Sequence, residues 1–194
     1  MKRLQSKEWN TRKNAADALA EMIVDDSVLD GVIGMLEWKG ERARQQAVWA
    51  LSCIIPKGHQ GAVRGILRRL EHPEERVRHA ALAALNNIAP SGDAFTVKEA
   101  CLWLLHPLWT ARESAVDAIS QVASCGDSVA LHGLYAALSD ADWRVRQVAL
   151  EAIENLSDGS LPSMLLAASE LRRRWASGAG GATATPRGTL PGKG

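Results

Sequence analysis

The chain has few of the residues that carry chemistry in catalytic or metal sites. Its 194 residues include three cysteines, one tyrosine, one phenylalanine and five scattered histidines. Cys53, Cys101 and Cys125 are odd in number and do not have the spacing of a zinc site. No histidine lies with another histidine or a glutamate at metal-ligand spacing, and no Gly-rich phosphate loop or nucleophile elbow appears. We therefore predict no catalytic residue, no metal and no cofactor.

The sequence also lacks the signals of export and membrane insertion. Met1-Lys2-Arg3 leads into polar sequence rather than into the apolar stretch of a signal peptide. No apolar run approaches the roughly 18 residues that a membrane span needs. The few cysteines are typical of a reduced compartment. These features predict an intracellular, cytoplasmic protein without a membrane partner.

A strong net charge is absent too, but the charge is unevenly distributed. The formal net charge is +1, from 23 basic and 22 acidic residues. Residues 172–194 hold five of the basic residues and no acidic one, so residues 1–171 are mildly acidic. Because duplex binding depends on neutralising phosphates, this distribution disfavours a nucleic-acid partner for the main body of the chain.

An internal repeat of 32 to 34 residues organises the chain, and four columns recur in five copies. The first is an arginine column of Arg12, Arg44, Arg78, Arg112 and Arg146. Three residues later stand Ala15, Ala47, Ala81, Ala115 and Ala149, followed three residues on by Ala18, Ala50, Ala84, Ala118 and Ala152. A Leu or Ile comes directly after: Leu19, Leu51, Leu85, Ile119 and Ile153. Such agreement indicates a true structural period.

Each period contains two helices. Helix B begins near the arginine and carries apolar residues at helical spacing. Helix A precedes it, as in 127–138, and the Gly-Asp pairs at 92–93 and 126–127 predict the end of one helix and the cap of the next. His-Pro pairs at 72–73 and 106–107 predict the turn between A and B. No alternating strand pattern of useful length appears.

The motif of the last copy, Leu-x-Asp-x-x-Trp-x-Val-Arg-x-x-Ala-x-x-Ala-Ile over 138–153, resembles the short type of HEAT repeat, also found in phycobilin lyase subunits. The resemblance covers about residues 4–171. It implies an all-α fold, an α-solenoid of about five HEAT-like two-helix repeats with half-repeats at both ends. Tetratricopeptide repeats have a similar period, but their aromatic pattern is absent.

Both ends of the repeat array are expected to be incomplete. The first copy supplies only a helix B, over about residues 8–23, so a partner, a second copy or a continuing array could cover its open side; it could also be a simple cap. At the other end, 163–175 would be helix A of a sixth unit. We predict a solenoid over 1–175 and a disordered Gly/Ala/Thr/Pro-rich tail over 176–194.

The B helices should line one face of the solenoid, and their exposed rows give a candidate partner-binding site. Trp49 is the only aromatic in its row, and basic and polar residues surround it in the flanking rows. An exposed tryptophan beside arginine is typical of an interaction hot spot, although Trp49 could instead pack between B helices as core. The predicted site consists of Trp49, Arg42, Gln45, Arg76 and His79.

Two further columns are interpreted as structural. Trp9, Trp109 and Trp143 share one position at the A–B turn, where a large side chain can cover the end of the core. The arginine column is predicted to form a ladder between repeats with acids and carbonyls at the turns, as in Asp140 with Arg146.

The resemblance implies a non-catalytic protein–protein interaction scaffold or adaptor that binds its partner on the B-helix face. One alternative is a phycobilin-lyase-like chromophore chaperone. Another is a HEAT-like DNA glycosylase, in which Trp49, Arg76 and Asp117 would hold damaged DNA. A continuous positive stripe on the B-helix face would favour the DNA alternative. A HEAT-like di-iron hydroxylase is excluded because the chain has no His-Glu dipeptide.

Overall fold

A computed structural model describes residues 2–20 and 26–157, with positions 170 and 173, and every regular element in this part is helical. The predicted all-α class is confirmed. The B helices are α1 (Trp9–Ala20), α3 (Glu41–Ile54), α5 (Glu75–Ile88), α7 (Trp109–Val122) and α9 (Trp143–Leu156). The A helices are α2 (Asp26–Ile33), α4 (Gln60–Leu67), α6 (Ala94–Trp103) and α8 (Ser128–Ala137). No described helix is both long enough and apolar enough to cross a membrane.

Neighbouring B helices pack against one another along the array, as do neighbouring A helices. The two alanine columns lie at these contacts and are buried from the second copy onward. In the first copy Ala15 is half-buried and Ala18 is exposed, while Ala16 is buried instead. The burial of these alanines therefore differs from that in the later copies. Residues 2–5 form only a single 3-10 turn before α1, with Leu4 buried.

The arginine column fastens each A–B turn to its own B helix. Every member donates through Nη1 to the backbone carbonyl six residues earlier, at distances of 2.8 to 3.2 Å. The acid partner differs from the predicted one. The Asp140 carboxylate binds Arg112 of the preceding repeat, whereas Arg146 donates to the Asp140 backbone carbonyl. The predicted carbonyl contacts are present, and the inter-repeat acid contact is made by Arg112.

Glycines in the B–A loops connect successive repeats. The backbone N–H groups of Gly58, Gly92 and Gly126 donate to the last residue of the next B helix at 2.7 to 2.8 Å. All three have φ between +73° and +77°, a region that favours glycine. The predicted aspartate caps are also present: Asp93 accepts from the Thr96 N–H, and Asp127 from the Val129 and Ala130 N–H groups.

Replacing Gly92 with alanine is expected to cost about 2 kcal/mol of unfolding free energy, from left-handed strain plus a clash. A Cβ at Gly92 would lie 2.4 Å from Ser124 Oγ. Gly58→Ala is the matched control, because its Cβ would meet Pro90 only at 3.8 Å. Urea denaturation should show a larger loss of unfolding free energy for Gly92→Ala than for Gly58→Ala. Adding Ser124→Ala to Gly92→Ala should remove this extra loss, because it removes the hydroxyl that the new Cβ meets. Equal losses at both glycines would mean that Ser124 moves aside without cost.

The predicted C-terminal half-repeat over 163–175 and the predicted disordered tail over 176–194 lie outside the described residues, apart from positions 170 and 173.

Candidate partner-binding site

Two neighbouring grooves run between the first three B helices. The groove between α1 and α3 has a volume of about 260 Å³. Its lining consists of Trp9, Arg12, Arg42, Gln45, Gln46 and Trp49. The groove between α3 and α5 has a volume of about 270 Å³, and its lining is Glu41, Arg44, Gln45, Val48, Arg76, His79, Ala80 and Ala83. Side chains spaced three or four residues apart on α3 reach both grooves because they share one helix face.

The five residues of the sequence-predicted site divide between these grooves. Arg42, Gln45 and Trp49 line the first, and Gln45, Arg76 and His79 line the second. Gln45 therefore forms the boundary between them. The five side chains thus line two adjoining grooves on α3 and α5.

Trp49 combines the two interpretations that the sequence left open. It is half-buried and packs against the hydrophobic core, yet it also lines the first groove. The Arg12 guanidinium lies 5.8 Å from the centre of its ring, within reach of a cation–π interaction. One part of the indole supports the fold, while another remains available to a ligand.

Trp9 is a groove residue that the sequence interpretation missed. It was assigned to core packing with the other turn tryptophans, but it is 54% exposed and lies in the first groove. The Lys13 ammonium lies 5.3 Å from its ring centre. Trp9 begins α1, just as Trp109 and Trp143 begin α7 and α9, but of these three only Trp109 packs against the core.

The packing prediction is also wrong for Trp143, which is 57% exposed, while Trp109 is half-buried against the core. Arg144 lies between these two residues. Its guanidinium carbon is 4.3 Å from the Trp109 ring centre and 5.2 Å from that of Trp143. This column thus produces a cation–π stack at the surface of α7 and α9 rather than a uniform cover for the core.

Some charged side chains near the grooves form hydrogen bonds or ion pairs within the protein, and others do not. Glu41 accepts hydrogen bonds from Arg44 and Gln45, both at 3.1 Å. The Arg44 hydrogen bond is the main cause of the lowered pKa of Glu41. Arg42 and Arg76, in contrast, are exposed and make no hydrogen bond, ion pair or ring contact with a described residue. Two cations are therefore available beside the grooves.

The next B helix, α7, presents two acids on the same rows. Glu113 and Asp117 are partly buried, and neither forms a hydrogen bond or ion pair within the described chain. Burial is the main reason that the pKa of each carboxyl is raised. The charge of Asp117 adds to the effect on Glu113, while Arg78 and Arg144 oppose it. On Asp117, His79 opposes the effect and Glu151 adds to it. The B-helix face is therefore acidic at α7, next to the basic positions of α3 and α5.

Comparisons with known proteins agree with this architecture. The family profile described as HEAT repeats matches residues 1–86 and 63–154. No curated protein sequence matches the chain. A solved structure of the tumor overexpressed gene (TOG) domain arrays of microtubule polymerases, from work on tubulin recruitment and assembly, is similar with a TM-score of 0.57 and 16% identity. The match covers 96% of this chain and 47% of that one.

The MAST/Orbit N-terminal domain is similar with a TM-score of 0.51 and 16% identity, and the match covers 92% of this chain and 95% of that domain. An archaeal HEAT-like repeats protein from Thermococcus onnurineus NA1 has a TM-score of 0.46 and 18% identity, with 91% and 85% of the two chains covered. At these identities the likeness concerns the fold alone.

Proposed function

The chain belongs to the HEAT-repeat family, and on that premise we propose that it is a non-catalytic scaffold or adaptor that binds a protein partner on its B-helix face. The HEAT and armadillo solenoid is typical of protein-binding scaffolds, because stacked helix pairs create an extended, regular surface. The fold does not identify a partner. Support for a particular binding site comes from the residues of the two grooves.

The convergence of Trp49, Arg42, Gln45, Arg76 and His79 in two adjoining grooves carries the proposal. Tryptophan and arginine dominate binding energy at protein interfaces because they bury a large area and form several directed contacts. Trp9 adds a second indole to the first groove. Arg42 and Arg76 can form ion pairs with a partner without first breaking a contact to a described residue.

The same surface gives less support to the two alternatives. The carboxylates of Glu113 and Asp117 interrupt the basic rows, and a phosphate backbone laid along the B helices would meet them. Trp49 and Arg76 line different grooves and Asp117 lines neither, so the three residues do not form one pocket. Each of these two grooves is also smaller than the roughly 300–1,000 Å³ that is typical of pockets for small ligands.

Reversing the charge of Arg42 tests the proposal. The full chain is used as bait in an extract of its source cells, and bound proteins are quantified by mass spectrometry. Arg42→Glu is expected to reduce recovery of the specific partners about tenfold or more, by removing one attraction and adding a repulsion. Arg42 is exposed, so the melting temperature should stay close to that of the wild type.

Arg68→Glu is the matched control, because it makes the same charge change at an exposed position at the end of the A helix α4. It should leave recovery unchanged. If both variants retain the same partners at wild-type levels, the B-helix grooves are not the binding site.

A further inference from the structure

On the B helices α3, α5 and α7, the charges that form no ion pair are separated by sign. Arg42 on α3 and Arg76 on α5 occupy equivalent positions of successive repeats, and neither contacts another described side chain through a polar group or a ring. Both are exposed. Of the other charges on α1 and α3, Glu41 binds Arg44 and Arg12 is held by two backbone carbonyls. Asp17 on α1 is exposed and forms no hydrogen bond or ion pair with a described residue. The surplus on α3 and α5 is positive.

The surplus on α7 is negative, and its position is specific to that repeat. The residues equivalent to Glu113 are Lys13, Gln45, His79 and Gln147, and those equivalent to Asp117 are Asp17, Trp49, Ala83 and Glu151. Only α7 has an acid in both rows. Since the other repeats fold with other residues there, the solenoid does not require the acid pair. The partial burial of both carboxyls, and the charge of Asp117 beside Glu113, also oppose ionisation in the free protein.

Resting on the proposed function, we infer that the partner contributes an extended peptide segment with acidic residues over α3 and α5 and a basic residue over α7. Such a segment would pair Arg42 and Arg76 with its carboxylates and Glu113 and Asp117 with its cation. Trp49 and Trp9 provide apolar contact beside the acidic end. A segment of uniform charge would be attracted at one end and repelled at the other.

The spacing of the helices sets the spacing of charges in the segment. Packed helices lie about 8–10 Å apart, so the point between α3 and α5 lies about 14 Å from α7. An extended chain advances roughly 3.3 Å per residue. The acidic and basic parts of the segment are therefore separated by about four residues.

A random 12-residue peptide display library, with the full chain as bait, tests the inference. Enriched peptides should carry acids and a base separated by about four residues, rather than charges of a single sign. The best peptide is then synthesised and titrated against the variants Arg76→Ala and Asp117→Asn. Each variant should weaken binding about fivefold to tenfold, as expected for contacts between close charges at an interface. Asp30→Asn on the A helix α2 is the matched control and should have no effect.

A double-mutant cycle tests whether the basic residue of the peptide contacts Asp117. Once the basic residue of the peptide is replaced by alanine, Asp117→Asn should cause no further loss. Enriched peptides of uniform charge, or a bipolar peptide that binds Asp117→Asn as tightly as wild type, would overturn the inference. Failure to enrich any peptide would also count against an extended segment. In each case the proposed function is judged separately, by whether Arg42→Glu reduces capture of native partners.

Discussion

Arg112→Met is expected to lower the unfolding free energy by about 3 kcal/mol, the largest loss that we predict for a single polar contact. Arg112 Nε and Nη2 donate to the two Asp140 carboxylate oxygens, both at 2.7 Å. The side chains are only 14% and 9% exposed. Removing one partner of such a pair leaves the other charge poorly solvated, which typically costs about 3–5 kcal/mol when burial is complete. Because both side chains retain some exposure, we expect the loss for Arg112→Met to lie at the lower end of this range.

Arg78→Met is the matched control for the carboxylate. Arg78 makes the same turn contacts, to the carbonyls of His72 and Pro73, but it has no ion pair with a described acid. We expect it to cost about 1–2 kcal/mol, the usual range for losing hydrogen bonds to buried acceptors. Guanidinium denaturation of the full chain measures both variants. Equal losses would show that the turn contacts, and not Asp140, account for the role of Arg112.

The pH dependence gives an independent check on this pair. Burial tends to raise the pKa of Asp140, but the hydrogen bonds from Arg112 and the Asp142 N–H outweigh it, so the pKa is lowered. A carboxyl whose pKa is lowered on folding contributes stability above its ordinary pKa of about 3.9, and that contribution is lost as the pH falls through the folded value. The advantage of the wild type over Arg112→Met should therefore be full at neutral pH and narrow below about pH 4.

The repeat register could be predicted from the sequence because local patterns determine it. The alanine columns recur at a fixed spacing from the arginine column, and the aspartate caps and the A–B turns depend on residues only a few positions apart. The partner of Asp140 could not be predicted in the same way. Arg112 and Asp140 are 28 residues apart and meet only because α7 and α9 stack with a particular offset. That offset is a property of the packed solenoid and not of any single repeat.

The sequence predicted which residues line the candidate site, but not how deeply each side chain is buried. Exposed positions of a helix follow from its apolar stripe, so the rows containing Arg42, Gln45 and Arg76 could be identified directly. How far Trp49 enters the space between α1 and α3 depends on the distance between those helices. The exposure of Trp9 and Trp143 likewise depends on the neighbouring helices and not on the repeat position, since Trp109 begins its helix at the same position and packs against the core.

Trp49→Ala is expected to weaken binding by at least about 2 kcal/mol, or about 30-fold. The indole provides the large apolar area of the first groove, and its removal would also leave Arg12 without the ring that it faces. The measurement is calorimetric titration with a peptide selected against the wild-type chain. Trp143→Ala is the control for loss of a surface indole, since Trp143 lies outside both grooves and at 57% exposed matches Trp9, whereas Trp49 is half-buried.

Because Trp49 also packs against the core, Trp49→Ala should lower the melting temperature as well. Trp9→Ala separates the two roles, since Trp9 lines the same groove yet is mostly exposed. If the groove binds the partner, Trp9→Ala weakens affinity with little change in stability, and Trp49→Ala changes both. If Trp49→Ala unfolds the chain while Trp9→Ala binds like the wild type, Trp49 is a core residue and the groove is not the contact surface.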